Sequence, residues 1–184
     1  MITWRVFCLS SWLALAETDA RCELAYDIGT TVDGVKFVRV AGVIGAADDV
    51  EAFAAAVLAN RVTAVTFSSP GGDMRKAMEL GRRIRAFRLS TIQTGVFECA
   101  SACAIAFMGG TTRYAYPDSI GVHRMWHPTG GLLSVDEAVA AIQQVTAELV
   151  GYMIEMGADP ALLQLAYATD ELHYLSETSW RSFE

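Results

Sequence analysis

The chain predicts an α/β fold with a largely parallel core, and three observations carry that prediction. Short β-branched apolar runs recur at residues 35–44 (VKFVRVAGVI), 62–67 (VTAVTF) and 91–96 (TIQTGV). Each is followed by a segment whose apolar residues fall at helical spacing. Strands and helices alternate instead of segregating, which is the pattern of a sheet covered by helices.

The elements follow in order. Residues 17–34 are mixed and turn-rich, and the run at 35–44 is the first strand, ended by Gly45. Asp48 and Asp49 offer caps for a helix through about Ala59. The strand at 62–67 is apolar on both faces, as a buried parallel strand requires, and it runs straight into Ser68-Ser69-Pro70-Gly71-Gly72. Residues 73–87 form a helix with Met74, Ala77, Met78, Leu80, Gly81 and Ile84 on its inner side. The strand at 91–96 leads to Ser101. An uninterrupted apolar segment, 102–108, is then a buried helix. Short strands at 111–115 and 120–123 are separated by a Pro117-Asp118 turn. Ser134 and Glu137 form a capping-box signal for a long helix over 134–156. Another helix starts at Asp159-Pro160 and runs to about Thr169, and the tail from Asp170 is less defined. No repeat, low-complexity tract or linker divides the chain.

At 184 residues the chain suits one domain with a full core. A hydrophobic fraction of 53% against 19% charge is high, yet no apolar run reaches the roughly 18 residues of a membrane span. A net charge of −7 argues against a nucleic-acid partner, which would call for a basic patch. Arg82, Arg83, Arg85 and Arg88 read as the solvated face of a helix. Arg5, an apolar stretch and an Ala14-Leu15-Ala16 ending describe a secretory signal peptide over 1–16, cleaved after Ala16. The remaining 17–184 is then a single domain in the periplasm or outside the cell. Its cysteines, Cys22, Cys99 and Cys103, allow one disulfide in an oxidising compartment. Cys22 can pair with Cys99 or Cys103, Cys99 and Cys103 stand one helical turn apart, and small buried thiols are an equal alternative. No pair of His or Cys has metal-ligand spacing in a suitable helix, so no metal and no cofactor is expected.

The chemistry concentrates between Glu98 and His123. Ser101 sits among small residues, Cys99-Ala100-Ser101-Ala102-Cys103, at the end of a strand and just before a helix. There the first amides of the helix face any developing negative charge. A Gly-Gly turn lies upstream and a histidine downstream: a nucleophile, a proton acceptor and oxyanion donors are the parts of an acyl-transfer site. Taken singly, each has a blander meaning, a helix cap for Ser101 and a plain turn for Gly71-Gly72.

Together, Ser69-Pro70-Gly71-Gly72, Ala100-Ser101-Ala102, Pro117-Asp118-Ser119 and His123 resemble the ClpP/crotonase superfamily over roughly residues 35–176. They look most like exported bacterial ClpP-like serine peptidases. The resemblance implies a spiral of β-β-α units with a largely parallel sheet and a C-terminal helical segment. It implies Ser101 as nucleophile and His123 as general base, with the N–H groups of Gly72 and Ala102 as oxyanion hole. Pro70 and Gly71 would be the edge along which an extended peptide lies. The third member is matched by Asp170, 47 residues past His123 and ahead of Leu175-Ser176, with Glu171 competing. His127 reads as a surface-loop residue and His173 as structural, so neither displaces His123. A Ser-Lys dyad is disfavoured, because Lys36 and Lys76 match no base position. The implied partners are a polypeptide substrate and further copies of the same chain, with no ATP-driven unfoldase if exported. The alternatives are a non-catalytic peptide-binding pseudoprotease and a crotonase-type acyl-CoA enzyme.

Overall fold

Five strands build the main sheet in the computed structural model, which describes residues 24–124, 134–168 and 171–176. Their order is β1 (Ala25–Thr30), β2 (Lys36–Ala41), β3 (Ala64–Ser68), β4 (Ser90–Gln93) and β6 (Arg113–Ala115). Only the β1–β2 hairpin is antiparallel, while β2–β3, β3–β4 and β4–β6 are parallel. A second sheet of three strands joins β5 (Cys99–Ala100), β7 (Ile120–Val122) and β8 (His173–Tyr174), with β5–β7 parallel and β7–β8 antiparallel. The chain is thus a mixed α/β protein with a mostly parallel sheet.

The helices fill the connections. They are α1 (Val50–Asn60), α2 (Met74–Ala86), α3 (Ala102–Phe107), α4 (Val135–Glu155) and α5 (Ala161–Tyr167). Asp49 caps α1 by accepting from the Glu51 amide, and Asp73 caps α2 by accepting from the Lys76 amide. Ser134 and Glu137 form the reciprocal capping box of α4. The inner stripe of α2 is the expected one: Ala77, Met78, Leu80, Gly81 and Ile84 are buried, with Met74 packed at its margin. Phe53, Phe67 and Phe107 lie at the centre of the core.

Four expectations need correction. Residues 25–30 form a strand, although AYDIGT looked turn-rich; β1 is an edge with an exposed face, so it lacks an apolar alternation. The strand expected over 91–96 ends at Gln93, and Val96 beyond it is 81% exposed. The tail forms β8 against β7. Finally, Arg85 does not join the solvated face of α2, for its guanidinium is half-buried and donates to the Met108 and Met156 carbonyls. Arg82 and Arg83 do remain at the surface, paired with Glu155 and Glu51. Among the described residues no helix is long and apolar enough to cross a membrane. Residues 1–16, where a signal peptide is expected, and Cys22, His127 and Asp170 lie outside the described residues.

Two contacts tie the main sheet to the segment that leads into the second one. Gln93 is fully buried, and its side chain completes what the backbone leaves open where β3 and β4 diverge. Its Oε1 accepts from the Phe67 N–H, and its Nε2 donates to the carbonyls of Phe67 and Phe97. One step further, Ser69 donates to the Glu98 carbonyl and accepts from the Ala100 N–H, a parallel bridge opposite Cys99. The end of β3 and the start of β5 are fixed together just where Ser101 follows.

Candidate active site

Ser101 stands between β5 and α3 with φ 56° and ψ −123°. An L-residue resists that conformation, since its Cβ crowds its own backbone, and glycine is the ordinary occupant. The surroundings impose it. The Ser101 N–H donates to the Gly121 carbonyl at 2.8 Å, and the Ser101 carbonyl accepts from Ala104 at 3.0 Å. Cys99 and Cys103 are joined in a disulfide that closes a small ring over the turn, both fully buried. Of the pairings open to the cysteines, this is the one formed. Ser101 occupies the N-cap position of α3, as the bland reading expects, but its hydroxyl makes no capping bond to the helix.

The Gly-Gly segment lies directly against this turn. A Cβ on Gly71 (φ 100°) would fall 2.8 Å from the Ala102 nitrogen, 2.8 Å from the Ser101 Cβ and 2.6 Å from the Ala100 oxygen. A Cβ on Gly72 (φ 139°) would collide with the Ile44 carbonyl. Glycine is required at both places for space as well as for conformation. The Gly71 carbonyl accepts from Ile44, and its N–H donates to the Ser69 hydroxyl. Each backbone group of Gly71 thus has one partner within the chain, and Gly71 packs directly on the turn. Gly72 is bracketed by the two bonds of Ile44 to Gly71 and Asp73, which turns its own N–H away from that strand. Among the described residues neither the Gly72 N–H nor the Ala102 N–H has an acceptor.

His123 follows β7 and shares with Ser101 a surface cleft of about 310 Å³, whose other walls are Pro70, Glu98, Ala100 and Leu172. Its Nδ1 lies 2.6 Å from the Arg124 carbonyl. A carbonyl only accepts, so Nδ1 is the donor of this bond, and in the neutral imidazole the lone pair is then on Nε2. Ser101 and His123 border one cleft without a direct hydrogen bond between them. Glu98 adds a polar wall: the Tyr174 hydroxyl donates to Glu98 Oε1 at 2.6 Å, and that bond holds the phenol above its ordinary range.

The structure thus brings Ser101, His123 and Pro70 to one cleft and sets Gly71 against the serine turn, with Gly72 next along the chain, bridged to Ile44, and Ala102 opening α3. His173 is a ladder residue of β8 opposite Val122, as a structural histidine would be. Lys36 opens β2 and Lys76 is paired with Glu79, so neither lysine is at the cleft. Glu98, Leu172 and Tyr174 carried no signal in the sequence: Glu98 only precedes the serine motif, and the other two come from the undefined tail. Among the described residues no group of three or more His, Cys, Asp or Glu side chains is gathered as a metal site. No family model matches the chain, and a search of curated proteins returns no significant match.

Proposed function

We propose that the chain is a serine hydrolase of the ClpP/crotonase superfamily, an endopeptidase of ClpP type acting through an acyl-enzyme on Ser101. The observation that carries this reading is the Ser101 turn. A serine is held at positive φ with its hydroxyl uncommitted, next to the unengaged amide of Ala102, and it shares a cleft with an imidazole whose Nδ1 is turned to the Arg124 carbonyl. Strained strand-to-helix turns of this kind are a recurring way to expose a nucleophile.

In this reading His123 Nε2 takes the Ser101 Oγ proton as the Oγ–carbon bond forms at the substrate carbonyl. The oxyanion rests on the N–H groups of Gly72 and Ala102. Its collapse breaks the carbon–nitrogen bond, and His123 returns the proton to the leaving amine. A water, deprotonated by Nε2, then attacks the ester and releases the acid, while Ser101 regains its proton. The Arg124 carbonyl orients the imidazole in the place a carboxylate holds in a triad, giving a Ser-His dyad with a backbone partner. Asp170, the acid implied by the resemblance, is the alternative orienter.

The Cys99–Cys103 disulfide supports an exported protein, because such bonds persist outside the reducing cytosol. Self-association is supported by α4, which leaves Val135, Val139 and Ile142 exposed. A second reading, a non-catalytic peptide-binding protein on the same fold, is favoured by the missing hydrogen bond between Ser101 and His123. Mass spectrometry after treatment with a fluorophosphonate separates the two. The hydrolase gives a single adduct on Ser101 that is lost in Ser101→Ala. A folded protein with no adduct leaves the peptide-binding reading. The same spectrum reads export, for which the chain begins at Glu17.

A further inference from the structure

Glu98 is a carboxylate fixed at the rim of the cleft and used by nothing in the mechanism above. Its main chain is fixed by the bond from Ser69, and its Oε1 accepts from the Tyr174 hydroxyl at 2.6 Å. Tyr174 is itself positioned by the β7–β8 ladder opposite Gly121, whose carbonyl also holds the Ser101 N–H. The carboxylate and the serine turn are therefore referenced to one strand. Among the described residues no cation pairs with Glu98. The nearby walls of the cleft, Pro70, Ala100 and Leu172, are apolar. A cleft that sets apolar walls beside an oriented carboxylate with no cationic partner among the described residues matches a lysine or arginine side chain, whose methylene stem prefers apolar surface while its head keeps a charged partner. The net charge of −7 adds a field that draws cations toward the molecule.

We infer that Glu98 is a specificity residue, and that Ser101 acts on polypeptides or esters whose acyl residue at the reacting carbonyl is lysine or arginine. The inference rests on the hydrolase reading and adds the substrate class to it. Bond making and breaking remain as given above, with Glu98 binding the cationic side chain and taking no part in proton transfer. Tyr174 is a positioning residue for Glu98.

The test compares two phosphonate esters that trap the serine, identical except that one carries a lysine-like aminobutyl side chain and the other a neutral butyl chain. The readout is the ratio of their inactivation rate constants, measured on the full chain by intact mass. The cationic ester is expected to react about tenfold faster with the wild type, the worth of one charge-assisted hydrogen bond in an open cleft. In Glu98→Gln the ratio falls to about one. Circular dichroism and the melting temperature of the variant establish that it is folded. Equal rates with both esters in the wild type overturn the inference and leave the hydrolase reading standing. A preference retained in Glu98→Gln also overturns it. Failure of both esters and of the fluorophosphonate to modify Ser101 removes the hydrolase reading, and this inference with it.

Discussion

Ser101 carries a cost that its neighbours enforce. The backbone at φ 56° and ψ −123° is disfavoured by about 1–3 kcal/mol for an L-residue. A glycine there would relieve that strain, while its greater freedom in the unfolded chain takes back up to about 1 kcal/mol. Ser101→Gly is therefore expected to stabilise the fold by roughly 1 kcal/mol, read as a higher denaturation midpoint, while abolishing fluorophosphonate labelling. A stability loss instead would mean that the turn is relaxed and that its geometry is no sign of function. Gln93 is the contrasting case of a polar residue kept for structure. It has three hydrogen bonds in a fully buried place, and they hold the loop between β4 and β5 to the end of β3. A buried glutamine that replaces a sheet ladder has no signature in one sequence, so its role emerges only once strands are placed.

Among elements, β5 and α3 are too short to hold the site by themselves. β5 has two residues and α3 six, less than two turns, so neither has much intrinsic stability. The Cys99–Cys103 disulfide joins them and encloses Ser101. Chain-entropy bookkeeping for so small a ring gives about 2 kcal/mol. The double variant Cys99→Ala, Cys103→Ala is expected to lose about that much stability in guanidinium unfolding and to react more slowly with fluorophosphonate. Undiminished labelling would show that hydrogen bonds alone hold the turn. The sequence made most elements readable because their signals are local: the cap Asp49, the capping box of Ser134 and Glu137, and the apolar stripe of α2. What escaped it depends on partners far along the chain. β1 and β8 are edge strands whose existence rests on β2 and β7, and Arg85 is drawn inward by carbonyls at Met108 and Met156. The serine motif and His123 were legible from residue type and order, whereas the Arg124 carbonyl that fixes the imidazole has no side-chain signal at all.

At the scale of the molecule, α3 carries Ser101 on its front and is held from behind by α2 and α4. The contact is tight because two glycines let backbones meet: a Cβ on Gly109 would come within 2.2 Å of the Gly81 carbonyl oxygen. Tyr152 of α4 reaches through this seam and donates its hydroxyl to the Ile105 carbonyl of α3 at 2.9 Å. Burial raises the phenol well above its ordinary range, so it stays a donor at any physiological pH. The Arg82 guanidinium covers the ring from α2 at 5.2 Å. A Cβ on Gly81 would fall 1.8 Å from the Tyr152 hydroxyl oxygen, so the two positions compete for one space. Gly81→Ala is expected to cost about 2 kcal/mol, the overpacking penalty outweighing the gain of up to about 1 kcal/mol in helix propensity. Tyr152→Phe costs about 1 kcal/mol for the lost hydrogen bond. Phenylalanine removes the nearer of the two clashing atoms and leaves the ring Cζ at 2.9 Å, so the double variant should be less destabilised than the sum of the two, by roughly 1 kcal/mol of coupling. Denaturation midpoints of the four proteins measure this directly. Simple additivity would mean that α2, α3 and α4 yield independently, and that the support behind Ser101 is not the single packed unit these contacts describe.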